Sequence, residues 1–324
     1  QLTVSDFLKQ TAQEHIEGQI SADEAEKRIK AYYQAKEIRL PDDDEKEEAD
    51  KVSMNIIKLL SEQSFTFSVA GLASIHRQIF KGVFKHAGQF RDYDITKKEW
   101  VLDGDTVLYA SYTQLQATLE YDLAQEKQFD YSNLALPDAI RHIAAFVANI
   151  WQIHPFREGN TRATAVFTIK YLRSIGFQNI DNTLFEQHSW FFRNALVRAN
   201  YKNVTKAVNP DSSFLVAFFR NLLLNEQTPL HNRDLHISLV GNQSAHQSAI
   251  QSANAALSKS NNCTLEEIAT LQIIQRNPHV TQKQIALEIG KSERTVKTIT
   301  VSLTRKGLIV RRNGKRDGYW ERLM

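Results

Sequence analysis

The sequence predicts a mainly α-helical protein of 324 residues. Three observations predict it. Apolar residues recur at helical spacing, bracketed by Ser, Thr and Pro at starts and Gly or Pro at stops, over most of the chain. Before the C-terminal module, strand-like composition is confined to one short stretch, 94–109, rich in Thr, Val, Trp and Tyr around Asp103-Gly104-Asp105. The last sixty residues read as three short capped helices followed by a basic hairpin.

Ser5 is placed to cap a helix through Leu8, Ala12 and Ile16, stopped at Gly18, and Ser21 with Glu24 forms a capping-box pattern for a second helix through Ile29 and Tyr32. A helical hairpin is the expected outcome. The acidic run Leu40-Pro41-Asp42-Asp43-Asp44-Glu45-Lys46-Glu47-Glu48 reads as an exposed linker or helix start, and helices follow over Val52 to Leu60 and Val69 to Phe80. After the expected hairpin at 94–109, helices are predicted over Ser111 to Leu123, Pro137 to Gln152, Thr164 to Ile175, Asn182 to Arg198 and Ser213 to Leu224. From 241 to 262 the chain turns to Ser, Gln, Asn and Ala, the composition of a linker. The expected organisation is a regulatory hairpin at 1–50, a catalytic core at 51–240, a linker at 241–262 and a C-terminal module at 263–324.

Composition sets few limits. Apolar content of 42% fits a globular core, and a net charge of +3 argues no partner by itself. One cysteine, Cys263, excludes an intramolecular disulfide framework and a thiolate zinc cluster, and points to a reducing, cytoplasmic setting. No stretch is long and apolar enough to span a bilayer, since Arg220 interrupts Ser213 to Leu224 and Arg141 with His142 interrupts Ala139 to Trp151. No membrane partner is therefore expected.

The chemistry concentrates in His154-Pro155-Phe156-Arg157-Glu158-Gly159-Asn160-Thr161-Arg162, a polar turn between two apolar helical patterns. Gly159 allows a close approach or a positive φ, and the amides of Asn160, Thr161 and Arg162 would stand at a helix N-terminus, which favours anions. Arg162 adds a planar fork for phosphate oxygens. A carboxylate in such a place, Glu158, makes sense as an oxygen ligand for Mg²⁺ that also touches substrate phosphates. His154 is the nearby group with an ordinary pKa suited to proton transfer near neutral pH. Taken singly, these residues read equally well as a helix-ending turn, a solvated ion pair and a cap.

Taken together, the string resembles the signature of the Fic (Fido) family, His-x-Phe-x-Asp/Glu-Gly-Asn-Gly-Arg-x-x-Arg. The resemblance implies a Fic-type helical bundle with a β-hairpin flap, and transfer of AMP from ATP to a Ser, Thr or Tyr hydroxyl of a target protein or of the chain itself. It makes His154 the general base, Glu158 the Mg²⁺ ligand, and Arg157, Gly159, Asn160, Thr161 and Arg162 the nucleotide-binding set. Thr161 stands where the family has a third glycine and Ala165 where it has a second arginine. Gln13-Glu14-His15-Ile16-Glu17-Gly18 resembles the family's inhibitory motif, which makes Glu17 the inhibitory carboxylate. The resemblance also places Asn200 and Tyr201 near the adenine and ribose, and makes 94–109 the flap on which a target protein docks as an added strand.

The C-terminal pattern resembles a winged helix-turn-helix. From Lys291 to Met324 there are ten Lys or Arg against three Asp or Glu, a net of +7. Duplex DNA is the implied partner through 291–316, with Arg294 and Lys297 in a groove and Arg311 to Arg316 along the backbone. The competing expectation is a DNA-binding regulator whose Fic domain senses nucleotide without transferring it. Homo-oligomerisation is left open by the sequence.

Overall fold

The computed structural model describes residues 4–36, 42–131, 134–177, 180, 182–238, 263–313 and 318–323. The expected linker at 241–262, and the wing turn from Gly314 through Arg316, lie outside the described residues. The chain divides into two units, Gln1–Asp92 with Pro155–Phe167, and Tyr93–His154 with Thr168–Met324. Among the described residues no helix is long and apolar enough to cross a membrane.

In the first unit, α1 (Asp6–Ile16), α2 (Ala22–Gln34), α3 (Asp43–Ser61) and α4 (Val69–Ile79) pack in sequence order. Ser5 and Ser21 cap the first two as expected, each accepting from the amide three residues on. The Glu24 side chain turns to Arg28. Leu8, Ala25, Ile29, Tyr33 and Met54 form the core of these helices. From Asp43 the acidic run is a helix start, and its continuation is not simply solvated. Asp50 is fully buried, accepting from the Ser5 backbone N–H at 2.8 Å, the Ser5 hydroxyl and the Tyr33 hydroxyl at 2.8 Å. Three donors repay the burial of that carboxylate and tie α1, α2 and α3 together.

In the second unit, α6 (Leu136–Ile153) is the central helix. Pro137 sits in its first turn, and Ile140, Ile143, Val147, Ile150 and Trp151 are all buried. It packs against α5 (Leu115–Gln128), α9 (Ser189–Asn200) and α10 (Ser213–Leu224). The helix α7 (Asn160–Ser174) follows α6 in the chain. The single helix expected over Asn182 to Arg198 is two, α8 (Thr183–Gln187) and α9, broken at His188.

The expected β-hairpin at 94–109 does not form strands. The segment reverses through a 3-10 turn, Trp100–Leu102, closed by Glu99 N–H to the Asp105 carbonyl at 2.9 Å and Gly104 N–H to the Glu99 carbonyl at 3.0 Å. Further along, side chains replace ladder partners. Lys97 N–H donates to the Thr106 hydroxyl at 3.3 Å, and the Leu108 carbonyl accepts from Gln152 Nε2 at 2.9 Å.

The C-terminal module has the expected elements, α11 (Leu265–Arg276), α12 (Gln282–Glu288), α13 (Glu293–Arg305), β1 (Ile309–Arg312) and β2 (Tyr319–Arg322). Full capping boxes at Thr264 and Thr281 and a Ser292 cap start its helices. The antiparallel pair β1–β2, with Arg312 opposite Tyr319, is the sheet present among the described residues. Trp320 is pinned by its indole N–H on the Val280 carbonyl at 3.1 Å. The module also bonds to helices of the preceding part of its unit: Leu136 N–H donates to the Cys263 carbonyl at 2.9 Å, and Gln272 Nε2 to the Leu223 carbonyl at 2.9 Å.

Candidate active site

The turn that carries the sequence signature is built, in the first unit, from Pro155 to Arg162. Asn160 clasps it. Its side-chain Oδ1 accepts from Phe156 N–H at 2.9 Å and its Nδ2 donates to the Phe156 carbonyl at 2.7 Å, so one amide closes the loop in both directions. Gly159 lies at φ 75, and a Cβ there would fall 2.3 Å from the Phe80 ring. Both the left-handed backbone and the aromatic floor therefore require glycine. The intrahelical ladder of α7 begins with Ala163 N–H on the Gly159 carbonyl at 3.0 Å. The amides of Asn160, Thr161 and Arg162 precede that ladder, in the position where a helix N-terminus favours an anion.

A residue that sequence reasoning missed holds the loop from below. His76 of α4 is fully buried and stacks on Phe156 with ring centroids 3.8 Å apart. Gly88 N–H donates to its Nδ1 at 2.9 Å. That contact fixes the tautomer, so Nε2 carries the proton and donates to the Glu158 carbonyl at 2.9 Å. Burial pushes the His76 pKa down to about 4, opposed by its bond to the Glu158 carbonyl, with His86 and Arg162 lowering it further. The ring is neutral at ordinary pH. No local pattern announces this role, because His76 stands 82 residues from the carbonyl it supports.

The remaining charged residues of the loop are sorted by their partners. Arg157 pairs with Asp92 at 3.0 Å. The Arg162 guanidinium lies 4.7 Å over the Phe80 ring and 4.0 Å from Glu48 of α3. Its pKa is lowered by burial, which Glu48 and Glu158 counter. Glu158 is exposed, and among the described residues no hydrogen bond or ion pair takes its carboxylate. No group of three or more His, Cys, Asp or Glu among the described residues could hold a metal by itself. The donor set fits a hard cation that takes one carboxylate from the protein and the rest of its oxygens from phosphates and water.

Glu17, the expected inhibitory carboxylate, ends α1 at the surface. Its two oxygens accept from Gln13 Nε2 and Gln19 Nε2, each at 2.7 Å. The acidic residue that meets Arg162 is Glu48.

His154 belongs to the second unit, where it caps α6 with φ 53 and ψ 55. It is 3% exposed. Its Nδ1 lies 3.2 Å from the Trp151 carbonyl, which accepts only if that nitrogen is protonated, and this leaves the lone pair on Nε2. Tyr109 lies against the ring with centroids 4.4 Å apart, and Trp151 meets it edge-on at 5.1 Å. The ring is thereby held in one tautomer, with Nε2 buried at its far side.

Asn200 and Tyr201, expected near a nucleoside, are committed elsewhere. Asn200 Nδ2 donates to the carbonyls of Ala148 at 3.0 Å and Leu196 at 2.9 Å, locking α9 to α6. Tyr201 is buried, and its hydroxyl donates to Asp105 at 2.7 Å.

In the C-terminal module, α13 buries Val296, Ile299 and Leu303 and exposes Arg294, Lys297, Thr298, Val301 and Arg305. The basic residues beside it divide. Lys291, Lys306 and Arg312 pair with Glu266, Glu267 and Glu321, whereas Arg311 lies over the Trp320 ring at 4.8 Å.

A Fic/DOC family model matches residues 66–172, which include His76, Phe80 and the whole turn. A model described as winged helix-turn-helix DNA-binding matches residues 267–310. Over 114 residues, 34% of this chain, the sequence is 27% identical to the protein adenylyltransferase VbhT of Bartonella schoenbuchensis. The match spans 22% of that protein, about a fifth of the curated relative's length. Solved structures resembling the chain include the N-terminal Fic domain of Bep8 from Bartonella sp. 1-1C, at 19% identity and TM-score 0.44 over 57% of this chain and 87% of that one. BepC from Bartonella tribocorum, solved with bound AMPPNP, aligns at 21% identity and TM-score 0.40 over 57% and 88%. A Fic family protein from Desulfovibrio desulfuricans G20 aligns over 99% of this chain and 97% of its own, at 12% identity and TM-score 0.40. The chain thus carries a Fic/DOC-family domain, mainly helical as its sequence predicts, followed by a winged helix-turn-helix module.

Proposed function

We propose that the chain is a protein adenylyltransferase, transferring AMP from ATP to a Ser, Thr or Tyr hydroxyl of a target protein or of itself. The observation that carries this reading is the clasped turn. Asn160 and His76 fix a loop whose glycine is pressed on Phe80, so the first amides of α7 and the Arg162 guanidinium form one rigid, anion-seeking end. The residue before that loop in the chain is His154, held in the tautomer a base requires.

In the reaction, the acceptor hydroxyl oxygen bonds to the α-phosphorus as the bond to the bridging oxygen of the β-phosphate breaks. Pyrophosphate leaves, and the hydroxyl proton passes to His154 Nε2. Arg162 and the amides of Gly159, Asn160 and Thr161 orient the phosphates, and Arg157 borders them. Positioning and charge stabilisation supply most of the acceleration in such chemistry. Glu158 would hold Mg²⁺, which supplies neutralisation of phosphate charge when bound. Phe156 anchors the turn through its stack on His76. The segment 94–109 receives the target protein, and Glu17, whose carboxylate is taken up at the surface by Gln13 and Gln19, restrains the site only in part. The winged module adds duplex DNA as a partner, supported by the exposed Arg294, Lys297 and Arg305 on α13.

Incubation with α-labelled ATP and Mg²⁺ tests the reading. Label retained on protein by the wild type and lost in His154→Ala is the expected result. Saturable ATP binding with no label in either would favour the alternative, a DNA-binding regulator with a nucleotide-sensing Fic domain.

A further inference from the structure

The segment 94–109 keeps its shape without a strand ladder, so its shape depends on anchors supplied by side chains. Three carboxylates provide them, each tied to a different stretch of the second unit. Glu99, 1% exposed on its side chain, makes a two-pronged ion pair with Arg193 of α9 at 2.5 and 2.9 Å. Asp103 accepts from the Ser238 hydroxyl and lies 3.4 Å from His236 Nε2. Asp105 meets a built cradle in the connection between α9 and α10. The Tyr201 hydroxyl donates to its Oδ2 at 2.7 Å, Asn203 Nδ2 at 3.2 Å and Lys206 Nζ at 3.4 Å, while the Thr106 amide donates to Oδ1 at 2.9 Å. The cradle is itself shaped by paired bonds between Asn203 and Val208 and by a left-handed Ala207 at φ 53. Non-glycine residues adopt that conformation at a cost, so the backbone there is held against its own preference.

We propose that Tyr201 is a positioning residue for the target-docking segment, and not a contact for the nucleotide. The ring is 3% exposed at the end of α9, so its hydroxyl is a rigid donor rather than a mobile one. Through Asp105 it holds the carbonyl that receives Glu99 N–H, and hence the turn from Glu99 to Asp105. The same segment carries Tyr109 onto the His154 ring. Tyr201 thereby sets where an acceptor docked on exposed Trp100 and Leu108 would lie. The docking role rests on the adenylyltransferase reading above, whereas the anchor stands on geometry alone. The Asp105 pKa, brought down to about 2 chiefly by the Tyr201 hydroxyl, accords with a carboxylate ionised throughout the working pH range.

The test uses the full chain in three variants, Tyr201→Phe, Asp105→Ala and Asp105→Asn. Hydrogen exchange is read at the amides of 97–109, of α9 and of α10, and AMPPNP affinity is measured by calorimetry. A bond to a charged acceptor is worth enough that its loss should speed exchange in 97–109 about tenfold. The expected result is that acceleration in Tyr201→Phe and Asp105→Ala, confined to the segment, with AMPPNP affinity unchanged. Asp105→Asn, which keeps an acceptor for the hydroxyl, should recover most of the protection. In the labelling assay Tyr201→Phe should lower kcat with the KM for ATP unchanged. AMPPNP affinity falling about tenfold with unaltered exchange would overturn the proposal. So would acceleration shared equally by α9 and α10, or no change in either readout. A chain that neither binds AMPPNP nor transfers label would end the adenylyltransferase reading, and the exchange data would still decide the anchor.

Discussion

Lowering the pH should loosen the candidate active-site turn through one residue, His76. The neutral ring accepts from Gly88 N–H and donates to the Glu158 carbonyl, and a protonated ring could not accept. Its pKa falls from the ordinary 6.5 to about 4 on folding, chiefly because burial penalises the charged form. Between those values the unfolded chain binds a proton that the folded chain does not, so stability rises with pH there. The contribution is fully present above the unfolded value and is lost as pH falls from about 6.5 towards 4. The shift corresponds to about 3 kcal/mol across that window. The assay is urea unfolding of wild type and His76→Gln between pH 7 and 4, with protection of the Gly88 and Ala163 amides read in parallel. The variant should be less stable at pH 7, and the gap should close by about 3 kcal/mol at pH 4. Equal pH dependence in the two proteins would refute the claim that a neutral His76 supports the turn.

Other substitutions test neighbouring parts of the account. Gly159→Ala must accept a left-handed alanine, at about 1–2 kcal/mol, and a clash with Phe80, at about 1–3 kcal/mol. A loss of about 2–5 kcal/mol in urea unfolding is expected, and adding Phe80→Leu should recover part of it. Glu17→Gly should raise self-modification if Glu17 restrains the site, and equal rates in the two proteins would remove that role. Retention of the full chain on duplex DNA should fall steeply with salt, and Arg294→Ala with Lys297→Ala should flatten the slope by about 2. An unchanged slope would take α13 out of the interface.

The sequence was most informative where structure is local. Ser5, Ser21, Thr281 and Ser292 each accept from an amide three residues on, and these four caps are visible in the sequence pattern. The turn from His154 to Arg162 was legible for the same reason, since its clasp spans only Phe156 to Asn160. What escaped was non-local. His76 and Phe80 support the turn from another helix, and Glu48 of α3 meets Arg162. The segment 94–109 has strand-forming residues, but Arg193, Tyr201 and Gln152 supply partners that no pairing rule within the segment foresees. Asn200 and Tyr201 were read from their place after α9, and their hydrogen bonds tie them to Ala148, Leu196 and Asp105.

The most direct measurement is the fate of the α-phosphate. With α-labelled ATP, Mg²⁺ and the full chain, the account predicts label bound to protein through a phosphodiester and one pyrophosphate released per label, both abolished in His154→Ala. Label that persists undiminished in His154→Ala, or pyrophosphate release without any protein-bound AMP, would contradict it.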